Sequence, residues 1–148
     1  MSRRFGLTID CADPETLVRF WCEALGYVEV PPPDGFATWR EYWLGRGVPA
    51  AELGDGDCAD VIADPDKRGP RIWFQPVPEP KSVKNRLHLD LYVGGADRSL
   101  DERRDLVDAE VRRLCAAGAS VVQQVASAGQ EHYHVVCADP EGNEFCVV

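Results

Sequence analysis

Ala138-Asp139-Pro140-Glu141 lies close to the C-terminus, and Ala63-Asp64-Pro65-Asp66 repeats it 75 positions earlier. Each string begins with a short apolar run, turns on Asp-Pro and leads toward a second apolar run, the signature of a tight turn between strands. A second likeness runs alongside: Val18-Arg19-x-x-Cys22 matches Val111-Arg112-x-x-Cys115. Two half-chains of the same plan are the simplest explanation.

Working outward, Phe5 to Cys11 alternates apolar with small or polar residues and reads as a half-buried strand. A helix should follow, with Asp13 as N-cap, Pro14 at the first helical position, and Leu17, Phe20, Trp21, Ala24 and Leu25 on one face. Gly26 ends it. Tyr27 to Val30 reads as a strand, Phe36 to Leu44 as an extended aromatic segment, and residues 45–58 as a glycine-rich loop able to cover a cleft. Strands are expected at Asp60 to Ala63 and Arg71 to Gln75. The second half opens with Leu87-His88-Leu89-Asp90-Leu91-Tyr92-Val93, which alternates strictly. Ser99 and Glu102 then form a capping box for a helix carrying Leu100, Val107, Val111, Leu114 and Cys115 on its apolar stripe. Strands follow near 119–125, 132–138 and 144–148. The expected organisation is module 1 over 4–77, a proline-stiffened linker over 78–86 and module 2 over 87–148. Each module alone is too small for a good core, so the two should pair.

Twenty-five acidic against 16 basic side chains, a net charge of -9, argue against nucleic acid and against an anionic membrane surface. No apolar run reaches the ~20 residues of a membrane span. The opening Met1-Ser2-Arg3-Arg4 leads straight into a strand without a signal-peptide core, so a cytoplasmic protein is expected. The six cysteines include no C-x-x-C pair and read as reduced, mostly buried thiols.

Three strings together resemble the vicinal oxygen chelate superfamily, specifically its glyoxalase-like domains of the glyoxalase/bleomycin resistance/dioxygenase type. They are Asp13-Pro14-x-x-Leu17-x-x-Phe20-Trp21-x-x-x-Leu25-Gly26, Asn85 to Leu91, and Ala138 to Cys146. The resemblance spans essentially the whole chain. It implies an α+β fold of two paired βαβββ modules, a cupped mixed sheet with helices outside, and a small-molecule cleft between the modules. It also implies a homodimer and one divalent metal (Zn, Ni, Fe or Mn) acting as a Lewis acid on adjacent substrate oxygens. By the family's pattern, ligands stand on the first and last strand of each module. His88 occupies one such position, its module 1 counterpart falls on Gly6, and the last-strand positions fall on Cys146 and Gln75. The usual His/Glu set is therefore altered to His88, Gln75 and Cys146, a set that Zn²⁺ tolerates through its N and S donors.

Asp90 and Tyr92 share the strand face of His88, and Asp90 is a candidate base, although alternate side chains on one strand stand about 7 Å apart. Glu144 is the carboxylate nearest Cys146 in sequence. Trp39, Trp43 and Trp73 could stack a flat ligand or simply fill the core. His132 and His134 have a metal-pair spacing, but with only Glu131 nearby they read as exposed strand histidines. Asp55, Asp57 and Asp60 read as a solvated loop rather than a Ca²⁺ loop, since no glutamate closes it. Three readings follow. As an enzyme, the chain would be a lyase, isomerase or ring-cleaving dioxygenase with His88 as ligand or base. As a binder, it would sequester an aromatic or drug-like compound without metal. As a partner-binding domain, its cleft would be a relic.

Overall fold

Asp13-Pro14-Glu15 starts the first helix of the computed structural model, which describes residues 3–95, 97–126 and 132–148. Asp13 is extended and its side chain accepts from the Thr16 amide. Pro14 opens the helix α1 (Pro14–Leu25), and Gly26 closes it at φ 67°, the left-handed conformation that glycine adopts without strain. Leu17, Val18, Phe20 and Trp21 are buried, and each is worth about 1.5–3 kcal/mol of apolar transfer.

These residues pack on a four-stranded sheet built from β1 (Leu7–Cys11), β2 (Val28–Glu29), β3 (Val61–Ala63) and β4 (Ile72–Pro76), in the order β1-β4-β3-β2. Strands β1 and β4 are parallel, and the other two pairs are antiparallel. A parallel neighbour needs a crossover, which α1 supplies. Ile62, Ile72 and Phe74 meet the helix as a fully buried set.

The second unit repeats this plan. β5 (Asp90–Leu91), α3 (Leu100–Ala116), β6 (Ser120–Ala126), β7 (Tyr133–Ala138) and β8 (Glu144–Val147) form a sheet of order β5-β8-β7-β6, again with the first and last strands parallel. Ser99 and Glu102 make the expected capping box, and Val107, Val111 and Leu114 are buried against the sheet that carries Val135, Cys137, Phe145 and Val147. The molecule is thus α+β, a duplicated βαβββ. It divides into Met1–Pro80 and Lys81–Val148.

Two local expectations change. Phe36 to Leu44 is not extended: α2 (Trp39–Gly45) is a helix between β2 and β3. Thr38 caps it by accepting from the Glu41 amide, and Glu41 Oε2 accepts from Ala37 N at 2.9 Å. Trp39, Tyr42 and Trp43 recur at helical spacing, so the aromatic richness that suggested a strand is a helical stripe. The strand at Leu87 to Val93 is also shorter, with only Asp90–Leu91 in the ladder. Cys146 N still donates to Leu89 O at 2.8 Å and Val93 N to Val148 O at 2.9 Å, holding the flanks in line. All six cysteines are free. Cys11, Cys137 and Cys146 are buried as expected, while Cys22 is only partly covered.

Candidate functional site

The parallel ladder of the second unit sets Asp90 opposite Cys146 and Leu91 opposite Val147. Leu91, Phe145 and Val147 are buried. By alternation His88, Asp90 and Cys146 share one sheet face. His88 Nδ1 lies 3.0 Å from Asp90 Oδ1 and 3.7 Å from Cys146 Sγ. The spacing of about 7 Å for alternate residues describes the backbone; here the two side chains lean together until they touch. The imidazole and carboxylate are partly exposed, whereas Cys146 is only 7% exposed. Burial pushes its thiol pKa up, and the Asp90 carboxylate adds to the shift, so the thiol is held neutral.

These donors fit a divalent metal. One nitrogen, one oxygen and one sulfur lie within 4.8 Å of one another. Ligands of one zinc-like ion, at 2.0–2.3 Å from it, lie about 3–4 Å apart. Three protein donors leave a position open for a ligand atom, as in catalytic sites. Asp90 stands where the resemblance led us to expect no ligand, and supplies the hard oxygen missing from the His88–Cys146 pair. Its signal was the His88-x-Asp90 spacing on an alternating strand.

Glu144 shares the face of Cys146, but its carboxylate is engaged. Lys84 Nζ donates to Glu144 Oε2, holding that carboxyl below the usual range. Asn85 Oδ1 accepts from Glu144 N at 3.2 Å. The Lys84-Asn85 segment is thereby pinned beside β8. Tyr92 lies past the ladder and is largely exposed.

In the first unit Trp73 lies between Thr8 and Val61, as Cys146 lies between Asp90 and Val136. Counted from the repeated Ala63-Asp64-Pro65 and Ala138-Asp139-Pro140 turns, that register keeps Gly6 as the counterpart of His88. The set there is Gly6, Thr8 and Trp73, which lacks an imidazole, and Gln75 stands two residues further along β4, opposite Asp10. Trp73, 41% exposed, donates from Nε1 to Asp60 Oδ2 at 2.9 Å. Burial raises the Asp60 pKa, and the Trp73 hydrogen bond opposes that. Trp39 donates to Val30 O at 2.8 Å and stacks on Trp43 with centroids 6.2 Å apart.

Trp43 also lines a cavity of about 510 Å³ in this unit, together with Glu15, Glu52, Leu53, Asp55 and Asp60 among others. The glycine-rich segment expected as a loop forms its wall and includes a short 3₁₀ turn at Ala50–Glu52. It is tied down: Cys58 N donates to Glu15 Oε1 at 3.0 Å, Arg40 N to Asp57 O at 3.0 Å, and the Arg40 guanidinium to Gly54 O.

On β7, His134 Nδ1 lies 2.9 Å from Nε2 of His132, the residue just before the strand. Burial and the neighbouring His132 lower the His134 pKa, so this ring stays neutral at pH 7. The Glu131 that stood beside the pair in sequence lies outside the described residues.

The family model of the glyoxalase-like domain matches residues 6–148. The chain belongs to the glyoxalase-like domain family. Solved structures agree on the fold of this glyoxalase-like protein. A hypothetical protein from S. aureus is 19% identical at a TM-score of 0.57, over 99% of this chain and 96% of that one. A glyoxalase/bleomycin resistance protein/dioxygenase family enzyme from Burkholderia phytofirmans PsJN is 18% identical at 0.57, over 96% and 94%. A mutant of the fosfomycin resistance protein FosX from Listeria monocytogenes, complexed with Mn(II) and 1S,2S-dihydroxypropylphosphonic acid, is 11% identical at 0.58, over 99% and 89%. A comparison with curated proteins finds no match. Among the described residues no helix is long and apolar enough to cross a membrane.

Proposed function

We propose that this glyoxalase-like protein binds a small, oxygen-bearing organic molecule at a divalent cation held by His88, Asp90 and Cys146. The observation that carries the reading is the convergence of three different donor atoms within 4.8 Å, from β5, the residues just before it, and β8. When bound, the cation supplies Lewis acidity to adjacent ligand oxygens, the chemistry of a lyase or isomerase. The chain's residues do the rest. Cys146 would hold the cation as its thiolate, its proton passing to water. His88 and Asp90, whose Nδ1 and Oδ1 stand 3.0 Å apart, would offer their donor atoms side by side. Lys84 neutralises Glu144 at the edge of the site. The Mn(II) in the FosX complex supports a metal in this fold.

The test is Co²⁺ loading of tag-free protein stripped of metal. A thiolate-to-cobalt charge-transfer band should appear, and Cys146→Ser should abolish it. Wild-type protein that binds no Co²⁺ through sulfur refutes the proposal.

A second reading, a metal-free binder, is supported by the first unit's cavity. Its volume lies in the range of small-molecule sites, Trp43 offers a stacking face, and no Lys, Arg or His lines it. Its ligand would be neutral or cationic and flat. A thermal-shift screen with aromatic amines checks this: binding to the native state raises Tm, and Trp43→Ala should remove the rise.

A further inference from the structure

We infer that His132 and His134 form a second cation site, a two-histidine chelate for a divalent transition metal, distinct from the His88–Asp90–Cys146 group. His134 lies in β7 and His132 just before its first residue, two apart, so extended backbone sends both side chains to one side. Their rings are tilted at 49° with centroids 4.8 Å apart, which brings Nδ1 of His134 to 2.9 Å from Nε2 of His132. Two imidazole nitrogens bound to one ion at 2.0–2.1 Å, with an angle of 90–110° between them, are about 2.9–3.4 Å apart. The pair is therefore already close to the bite of a chelate. Two nitrogens this close share a single proton; for an ion to take a lone pair from each ring, that proton moves, through water, to the other nitrogen of the ring that carried it.

The ladder separates this site from the first. Asp90 lies opposite Cys146, and Cys146 lies opposite Val136. His134 is two residues along from Val136, on the same face. It stands two strands away from Asp90, about 10 Å across the sheet and about 7 Å along it, and its nitrogens are not among the donor atoms that converge on His88, Asp90 and Cys146. The Asp90 carboxylate on that face still favours a cation. Imidazole donors select Zn²⁺, Ni²⁺ or Cu²⁺ over Mg²⁺ or Ca²⁺. Water or ligand oxygens would complete the coordination.

The inference stands apart from the proposed function, and the chain makes the separation easy to test because it has three histidines. In a His88→Ala/Cys146→Ser double variant only the pair remains. Isothermal titration of this tag-free variant with Ni²⁺ should give one ion per chain, and adding either His132→Gln or His134→Gln should abolish that ion. No binding by the double variant, with its circular dichroism unchanged, overturns the inference. So does binding that survives either glutamine substitution. Wild-type protein provides a check free of any folding effect: paramagnetic Ni²⁺ should broaden the His132 and His134 ring resonances together, and sharp resonances for either ring overturn the inference. Loss of the cobalt–thiolate band would leave these results untouched.

Discussion

Asp139 is the only buried charged residue among those described, at 3% exposure, and replacing it tests how the strand bearing Cys146 is held. Its Oδ1 accepts from Glu141 N at 3.0 Å, from Asn143 N at 2.9 Å and from Asn143 Nδ2 at 3.2 Å. Its Oδ2 accepts from Asn143 Nδ2 at 2.9 Å. The turn between β7 and β8 closes around this carboxylate, with Gly142 N donating to Asp139 O at 2.9 Å. Asp139→Ala leaves two main-chain amides and a side-chain amide without their acceptor. Hydrogen bonds to a charged group contribute about 1.5–3 kcal/mol each. They are not additive, and desolvation of the carboxylate offsets part of the sum. A net loss of about 3 kcal/mol follows, which lowers Tm by about 6–12 °C in a chain of this size. Asp139→Asn keeps acceptors in place and should cost about 1 kcal/mol. Asp64 makes the same motif in the first unit, accepting from the amides of Asp66, Arg68 and Gly69 at 2.8 Å each. It is less covered, so water can replace it, and Asp64→Ala should cost clearly less than Asp139→Ala. Thermal and urea unfolding followed by circular dichroism measure all three variants. If the Asp64 and Asp139 alanine variants lose equal stability, burial is not what sets the cost and the reasoning fails.

Ser99→Ala breaks the α3 capping box and should cost about 1 kcal/mol by urea unfolding. The Ser99 hydrogen bonds hold the Glu102 carboxyl below its ordinary pKa. That part of the stability is present above the ordinary value and is lost as pH falls through the lowered one, so the gap between variant and wild type should narrow in acid. A gap that widens would contradict the sign. Asp60→Asn should raise Tm at pH 7, because burial disfavours the charged carboxylate while asparagine keeps an acceptor for Trp73. The gain should vanish as pH falls below the raised pKa, where Asp60 is itself neutral, and a lowered Tm at pH 7 would count against it. Iodoacetamide at pH 8 should label exposed Cys115 first, whereas Cys22 and Cys137, each pushed up to about 11 chiefly by burial, should react only on unfolding. Peptide mass mapping reads the order, and early labelling of Cys137 would refute it.

What could be read without coordinates was whatever is local in the chain. Asp13-Pro14, Gly26 and the Ser99–Glu102 box mark helix ends because caps act within four residues. The two Asp-Pro turns mark the repeat for the same reason. The alternation of Leu87 to Val93 put His88 and Asp90 on one face, and the resemblance singled out His88 and Cys146. The helix α2 was legible too, in Thr38-x-x-Glu41 with aromatics at 39, 42 and 43, but its aromatic content was read as β preference.

Tertiary structure decided the rest, because register joins residues far apart in sequence. Asp90 became a metal-site candidate only when the parallel ladder set it opposite Cys146, 56 positions away. The matching pairing in the first unit leaves Gly6, which has no side chain, in the place of His88. Strand alternation placed His132 and His134 on one side, but only the folded side chains brought their nitrogens to 2.9 Å. Sequence by itself determined the duplicated βαβββ plan, since periodicity and caps are properties of short segments. Which donors meet depended on strand pairing, where a one-residue slip turns every side chain to the opposite face.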